Sequence, residues 1–144
     1  MHLIQIPRRL LLFPHLRPLR HSSNPSSMNF IRSFFSSPVS AETMSAVAKA
    51  QKIIDENAVA VFSKSYCPYC KASKELLDRF GAKYYTIELD MEADGSALQN
   101  ALQELSGQRT VPNIYIGQKH IGGNSDLQAK AGELKDLLKE AGAL

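Results

Sequence analysis

The sequence predicts an α/β domain, a small mixed sheet of four strands with helices on both faces, and three observations point there. The first is a strand–helix–strand passage. The apolar, β-prone run Ala58–Phe62 is followed by the amphipathic stretch Lys71–Phe80, the stop residue Gly81, and a second strand pattern over Tyr84–Leu89. Such a βαβ unit requires parallel strands and a right-handed crossover. The second is a hairpin signal, with Asn113–Ile116 and Lys119–Ile121 flanking Gly117-Gln118, which makes those two strands antiparallel. The third is helical patterning before, between and after the strands.

Taken in order, Ser45–Asn57 reads as a helix with Val47, Ala50, Ile53 and Ile54 on one face. The Ala58–Phe62 strand and the helix containing Lys71–Phe80 follow, the latter stopped by a glycine suited to a left-handed cap. After the second strand, Asp90–Gly95 is a polar loop. Ser96–Leu105 forms a helix that packs Leu98, Leu102 and Leu105 and ends at Gly107. Beyond the hairpin, Gly122-Gly123-Asn124-Ser125-Asp126-Leu127 combines backbone freedom with good N-cap residues and opens a helical stretch. Glu133–Glu140 is the last helix. There are no internal repeats.

Charge divides the chain. Residues 1–41 hold five arginines (Arg8, Arg9, Arg17, Arg20, Arg32), no lysine and no acid, and Glu42 is the first acidic residue. The remaining 12 basic residues face all 14 acidic ones, so the overall +3 belongs to the N-terminal segment. No basic face of the globular part is needed to explain it, which argues against nucleic acid as a partner. Rich in Arg, Ser, Pro and His and free of acids, the segment has the composition of a mitochondrial transit peptide. Its apolar run Leu10–Phe13 is too short to span a bilayer and is bracketed by Pro7, Pro14 and Pro18, so no membrane partner is expected. The expected division is a disordered targeting extension over residues 1–43 and one globular domain over 44–144. Initiation at Met44 would give a cytoplasmic form without the extension.

The chemistry gathers in Lys64-Ser65-Tyr66-Cys67-Pro68-Tyr69-Cys70-Lys71, which contains the only two cysteines of the chain, three apart. They fall where a strand turns into a helix, with Cys67 at or near the N-cap and Pro68 at the first helical position, where its missing N–H costs nothing. The thiolate is the reactive form of cysteine. A helix N-terminus, with its unpaired N–H groups and partial positive charge, favours an anion at Cys67. Lys64 and Lys71 add cationic charge. Cys70, one turn into the helix, lacks most of this help and reads as the resolving partner. A structural disulfide framework needs more cysteines. Zinc wants four ligands, and the chain offers no second Cys pair, while His2, His15 and His21 of its four histidines lie in the N-terminal segment.

Cys-Pro-Tyr-Cys after a strand, Thr110-Val111-Pro112 further on, and Gly122-Gly123-Asn124-Ser125-Asp126 beyond that resemble a dithiol glutaredoxin, in that order and spacing, over about residues 44–144. The resemblance implies the thioredoxin fold and glutathione-dependent reduction of protein–glutathione mixed disulfides and protein disulfides. It is poorer to thioredoxin itself, which has Trp before Cys-Gly-Pro-Cys; this chain has no Trp. It implies Cys67 as nucleophile and Cys70 as resolving thiol. It also implies a glutathione site: Lys64 and Gln99 toward the glycine carboxylate, Val111 before a cis-Pro112 pairing its backbone with the cysteine part, and Ser125 and Asp126 holding the γ-glutamyl end. Tyr69, Thr110 and Gly123 complete its lining. The implied co-substrate is glutathione, with no metal. The implied partners are glutathionylated and disulfide-bonded proteins, with glutathione reductase acting indirectly through glutathione, and the expected state is a monomer.

The residues have physical reasons of their own. A pre-proline residue favours extended backbone, so Val111 can offer its N–H and C=O as an edge strand does, unless it is simply part of a turn. Asp126 would meet the ammonium of glutathione with opposite charge, yet it and Ser125 are equally good caps. Gln99 suits a plain solvated helix surface equally well, Arg109 could share the carboxylate role, and His120 reads as structural. An alternative from another class is a glutathione-ligated iron–sulfur cluster carrier. Within the family Pro68 disfavours it, because cluster binders tend to have a small residue there.

Overall fold

The computed structural model describes residues 41–144. The chain runs α1 (Ala41–Glu56), β1 (Val59–Ser63), α2 (Pro68–Arg79), β2 (Tyr85–Glu88), α3 (Gly95–Ser106), β3 (Asn113–Ile116), β4 (Lys119–Gly122), α4 (Asn124–Ala129) and α5 (Leu134–Glu140). The sheet order is β2-β1-β3-β4, with β1 parallel to β2 and antiparallel to β3, and β3 antiparallel to β4. This is the four-stranded mixed sheet the sequence predicts.

Alternation along the central strand builds both halves of the core. Ala60 and Phe62 of β1 point to a cluster with Ala46, Ala50 and Ile54 of α1, Leu98, Ala101 and Leu102 of α3, and Tyr115 of β3. Val59 and Val61 point the other way, to Leu76 and Leu77 of α2, Leu127 of α4, and Leu134 and Leu138 of α5. A strand covered on both faces must be apolar throughout, which is why Val59–Ser63 shows no polar–apolar alternation and is buried along its whole length.

Two turns follow from backbone chemistry. Gly117 and Gln118 both have positive φ (56° and 66°), the type I′ arrangement of a two-residue hairpin. Gly95 packs so closely on β2's exit that a Cβ there would lie 1.7 Å from the Leu89 carbonyl oxygen. The polar loop of the sequence reading therefore ends in a position only glycine can fill.

Three expectations change. The first helix covers Ala41–Glu56 rather than starting at Ser45, so residues 41–43 are helical; Ala41 favours helix and Glu42 suits the positive end of the first turn. Its buried stripe is Ala46–Ala50–Ile54, with Val47 and Ile53 at the margin. On α3, Ala101 takes the core position expected for Leu105, which is exposed. The rest of the targeting extension lies outside the described residues.

Candidate active site

The end of β1, the start of α2, the approach to β3 and the start of α4 converge. Cys67 is the N-cap of α2, in extended conformation (φ −83°, ψ 116°), with Pro68 at the first helical positions. Its N–H donates to the Lys64 carbonyl at 3.0 Å, closing a tight turn. Its sulfur accepts the Cys70 N–H at 3.4 Å, so a thiol fills the place usually taken by a Ser or Asp oxygen. Both cysteines are free, Cys67 half-buried and Cys70 fully buried. Burial above all, and then the hydrogen bond with Cys67, pushes the Cys70 thiol up to about 11. Cys70 is therefore held as a thiol at neutral pH, while the accessible sulfur is Cys67.

Asp90, just after β2, holds the turn before Cys67. Its carboxylate accepts the Ser65 N–H at 2.9 Å and the Ser65 hydroxyl as well. Those two bonds, with a smaller contribution from the Lys64 charge, hold the Asp90 carboxyl below the usual carboxylate range.

The opposite wall comes from Thr110–Pro112. The Cys67 thiol faces the Val111 carbonyl at 4.0 Å, and the Val111–Pro112 bond is cis. Gln108 braces this segment, its side-chain amide donating to the carbonyls of Thr110 (3.1 Å) and Pro112 (3.0 Å). The buried Asn113 amide in turn donates to the Gln108 carbonyl at 3.0 Å.

At the start of α4, Asp126 accepts the Gly123 N–H at 2.8 Å, the local cap that its position allows. Gly122, at φ +120°, lies under that carboxylate, and a Cβ there would come within 2.3 Å of Asp126 Oδ2. The buried Ser73 hydroxyl of α2 reaches Asn124 Oδ1 at 2.9 Å and ties the two helix starts together.

Tyr69, Thr110, Val111, Pro112, Gly123, Asn124, Ser125 and Asp126 line one groove of about 260 Å³. Seven of the eight are predicted site residues; Asn124 is new. Four predicted residues do not line it: Cys67 and Cys70, which lie beside it, and Lys64 and Gln99. Gln99 donates from its side-chain amide to the Arg109 carbonyl at 2.8 Å, and so holds the segment leading into Thr110. Lys64 touches the site through its carbonyl and places its charge near Asp90. His120 packs on the Tyr115 ring (centroids 5.1 Å apart), where burial lowers its pKa, in keeping with a structural role. Other hollows, between Ala58 and Tyr84 and between Gly117 and Ala141, lie at the opposite end of β1 from Cys67.

The glutaredoxin family model matches residues 59–121, from the start of β1 into β4. A glutaredoxin of Ricinus communis is 56% identical over 101 residues, covering 69% of this chain and 99% of that protein. The chain belongs to the glutaredoxin family. Glutaredoxin-C2 of Arabidopsis thaliana is similar as well, 54% identical over 102 residues, 69% of this chain and 91% of that one. Among solved structures, the crystal structure of a buckwheat glutaredoxin–glutathione complex superposes with a TM-score of 0.71 at 48% identity, covering 74% of this chain and 99% of the other. The fold is the thioredoxin fold, and the glutaredoxin family assigns the chain to the thiol oxidoreductases.

Sequence reasoning missed Ser65–Asp90, Ser73–Asn124 and Gln108 as supports. Asn124 was legible as a capping residue in Gly-Gly-Asn-Ser-Asp; nothing in the sequence signals that its partner is Ser73.

Proposed function

We propose that this glutaredoxin is a glutathione-dependent thiol–disulfide oxidoreductase that reduces protein–glutathione mixed disulfides and protein disulfides. The observation that carries the reading is the asymmetry of its two sulfurs. Cys67 caps a helix beside the groove, its sulfur 4.0 Å from the carbonyl of the lining residue Val111, and Cys70 is buried behind it as a thiol. The Cys67 thiolate attacks the glutathione sulfur of a mixed disulfide, forming a Cys67–glutathione disulfide and releasing the substrate thiolate, which takes up a proton. A second glutathione thiolate attacks that adduct, leaves as glutathione disulfide, and regenerates Cys67. With a protein disulfide, Cys70 displaces the bound protein thiol and forms a Cys67–Cys70 bond that glutathione then reduces.

Glutathione lies along the groove in this reading. Val111 pairs its backbone with the cysteine part, and Ser125 and Asp126 meet the γ-glutamyl end, whose ammonium complements the Asp126 carboxylate. Lys64, helped by Arg109, takes the glycine carboxylate, and Gln99 acts by holding the Arg109 carbonyl rather than by lining the groove. The match to a buckwheat glutaredoxin in complex with glutathione supports this placement.

Reduction of a glutathione mixed disulfide tests the proposal. Cys67→Ser removes the activity, and Cys70→Ser retains it while losing reduction of protein disulfides. Retention of full activity by both variants refutes it. Brown colour with visible absorbance after anaerobic reconstitution with iron and sulfide would favour a cluster carrier instead. We further propose that the Arg-rich, acid-free N-terminal segment directs the chain to mitochondria; uptake and shortening by isolated mitochondria would support this, and full-length protein left outside would refute it. Met44 lies in the first turn of α1, so a cytoplasmic form begun there would lack Ala41–Thr43 of that helix.

A further inference from the structure

Ser63 is the last residue of β1, and its side chain is fully buried. Strand alternation turns it to the same face as Val59 and Val61, the face that α2 covers. Its hydroxyl makes no hydrogen bond. A buried hydroxyl without a partner is costly, and an alanine would fill the same space without that cost.

The group beside it is the buried sulfur of Cys70. The Ser63 hydroxyl and the Lys64 N–H lie near that sulfur as potential donors that favour its charged form, against burial and Cys67, which disfavour it. These donors are uncharged, and the titratable group acting on Cys70 is Cys67 of the same helix. Cys67 draws on a different donor, the Cys70 N–H. The two sulfurs are therefore served by separate groups.

We propose that Ser63 is a positioning residue for Cys70: its unused hydroxyl turns onto the Cys70 sulfur whenever that sulfur carries negative charge. This rests on the thiol–disulfide exchange proposed above. Charge appears on Cys70 twice. In closing, the Cys70 thiol loses its proton and attacks the Cys67 sulfur of a Cys67–glutathione disulfide. The Cys67–Cys70 bond forms, the bond to glutathione breaks, and glutathione leaves as a thiolate that takes up a proton. In opening, glutathione attacks Cys67 and Cys70 departs as a thiolate. In both directions the Ser63 hydroxyl gains a charged acceptor where it has no partner at rest.

Rapid mixing of the reduced full-length protein with glutathione disulfide, followed by acid quench and mass analysis, separates the two steps. Glutathionylation of Cys67 releases a first glutathione, and closure onto Cys70 releases a second. Ser63→Ala should leave the first step at its original rate and slow closure about tenfold, the effect of one hydrogen bond to a charged group. Ser63→Thr, which keeps a hydroxyl on the strand, should restore closure. Unchanged closure in Ser63→Ala, or equal slowing of both steps as a packing defect would cause, overturns the inference. A wild-type protein that takes no glutathione on Cys67 overturns the proposed function itself, and this inference with it.

Discussion

Two helices begin at the groove, and they are capped in opposite ways. At α2 the cap is a thiol: the Cys67 sulfur takes the Cys70 N–H at 3.4 Å and stays half-exposed. At α4 the cap is a carboxylate: Asp126 takes the Gly123 N–H at 2.8 Å from three residues inside the helix. The helix-start geometry is shared and the capping atom differs, which assigns the chemistry. Sulfur is a weak acceptor, so the cap at α2 costs little to give up when Cys67 bonds to another sulfur. The oxygen cap at α4 is short and fixes a charged wall. In the proposed function one start serves exchange and the other recognition, and the Ser73–Asn124 hydrogen bond links α2 to the start of α4.

Substitutions at the two starts should therefore fail differently. Cys67→Ser has the largest effect, loss of all turnover with the fold intact, since a serine oxygen caps the helix equally well. Gly122→Ala comes next, on stability: it forces a side chain into positive φ and against Asp126, and should cost about 1–3 kcal/mol, read by denaturant unfolding. Asp126→Asn keeps an acceptor for Gly123 but removes the charge. The KM for glutathione should rise about fivefold, the effect of roughly 1 kcal/mol at an exposed ion pair, with kcat little changed. A fall in kcat without a change in KM would place Asp126 on the exchange side of the comparison.

The smallest effect lies in the turn before Cys67. The two Ser65 bonds lower the Asp90 carboxyl's pKa. The stabilisation is thus complete above the unfolded value, about 3.9, and is lost as pH falls through the lower folded value. Unfolding of Ser65→Ala should depend less steeply on pH in that acid range than unfolding of the wild type.

Features set by neighbours in sequence were legible. Asn113–Ile116 and the Gly117-Gln118 turn fall where the pattern places them, as does Pro68 behind the Cys67 cap. Seven residues of the groove were found because each belongs to a short motif. What escaped joins residues far apart in the chain: Ser65 to Asp90 and Ser73 to Asn124. Ser, Asp and Gly are ordinary in loops and helix ends, and only the meeting of β1, β2, α2 and α4 gives them these partners. Gln99 shows the reverse, a residue close to the site whose hydrogen bond goes to the Arg109 carbonyl.

Two cysteines one turn apart are chemically unequal, one a half-exposed helix cap and the other a buried thiol. Alkylation of the fully reduced protein with iodoacetamide, followed by peptide mapping across a pH series, measures this directly. At neutral pH Cys67 should be modified first while Cys70 stays largely free, and the Cys70 rate should keep rising with pH through the alkaline range, its thiol being pushed up to about 11 by burial. Modification of Cys70 first, or of both at the same rate at neutral pH, would show that the two sulfurs do not differ in this way.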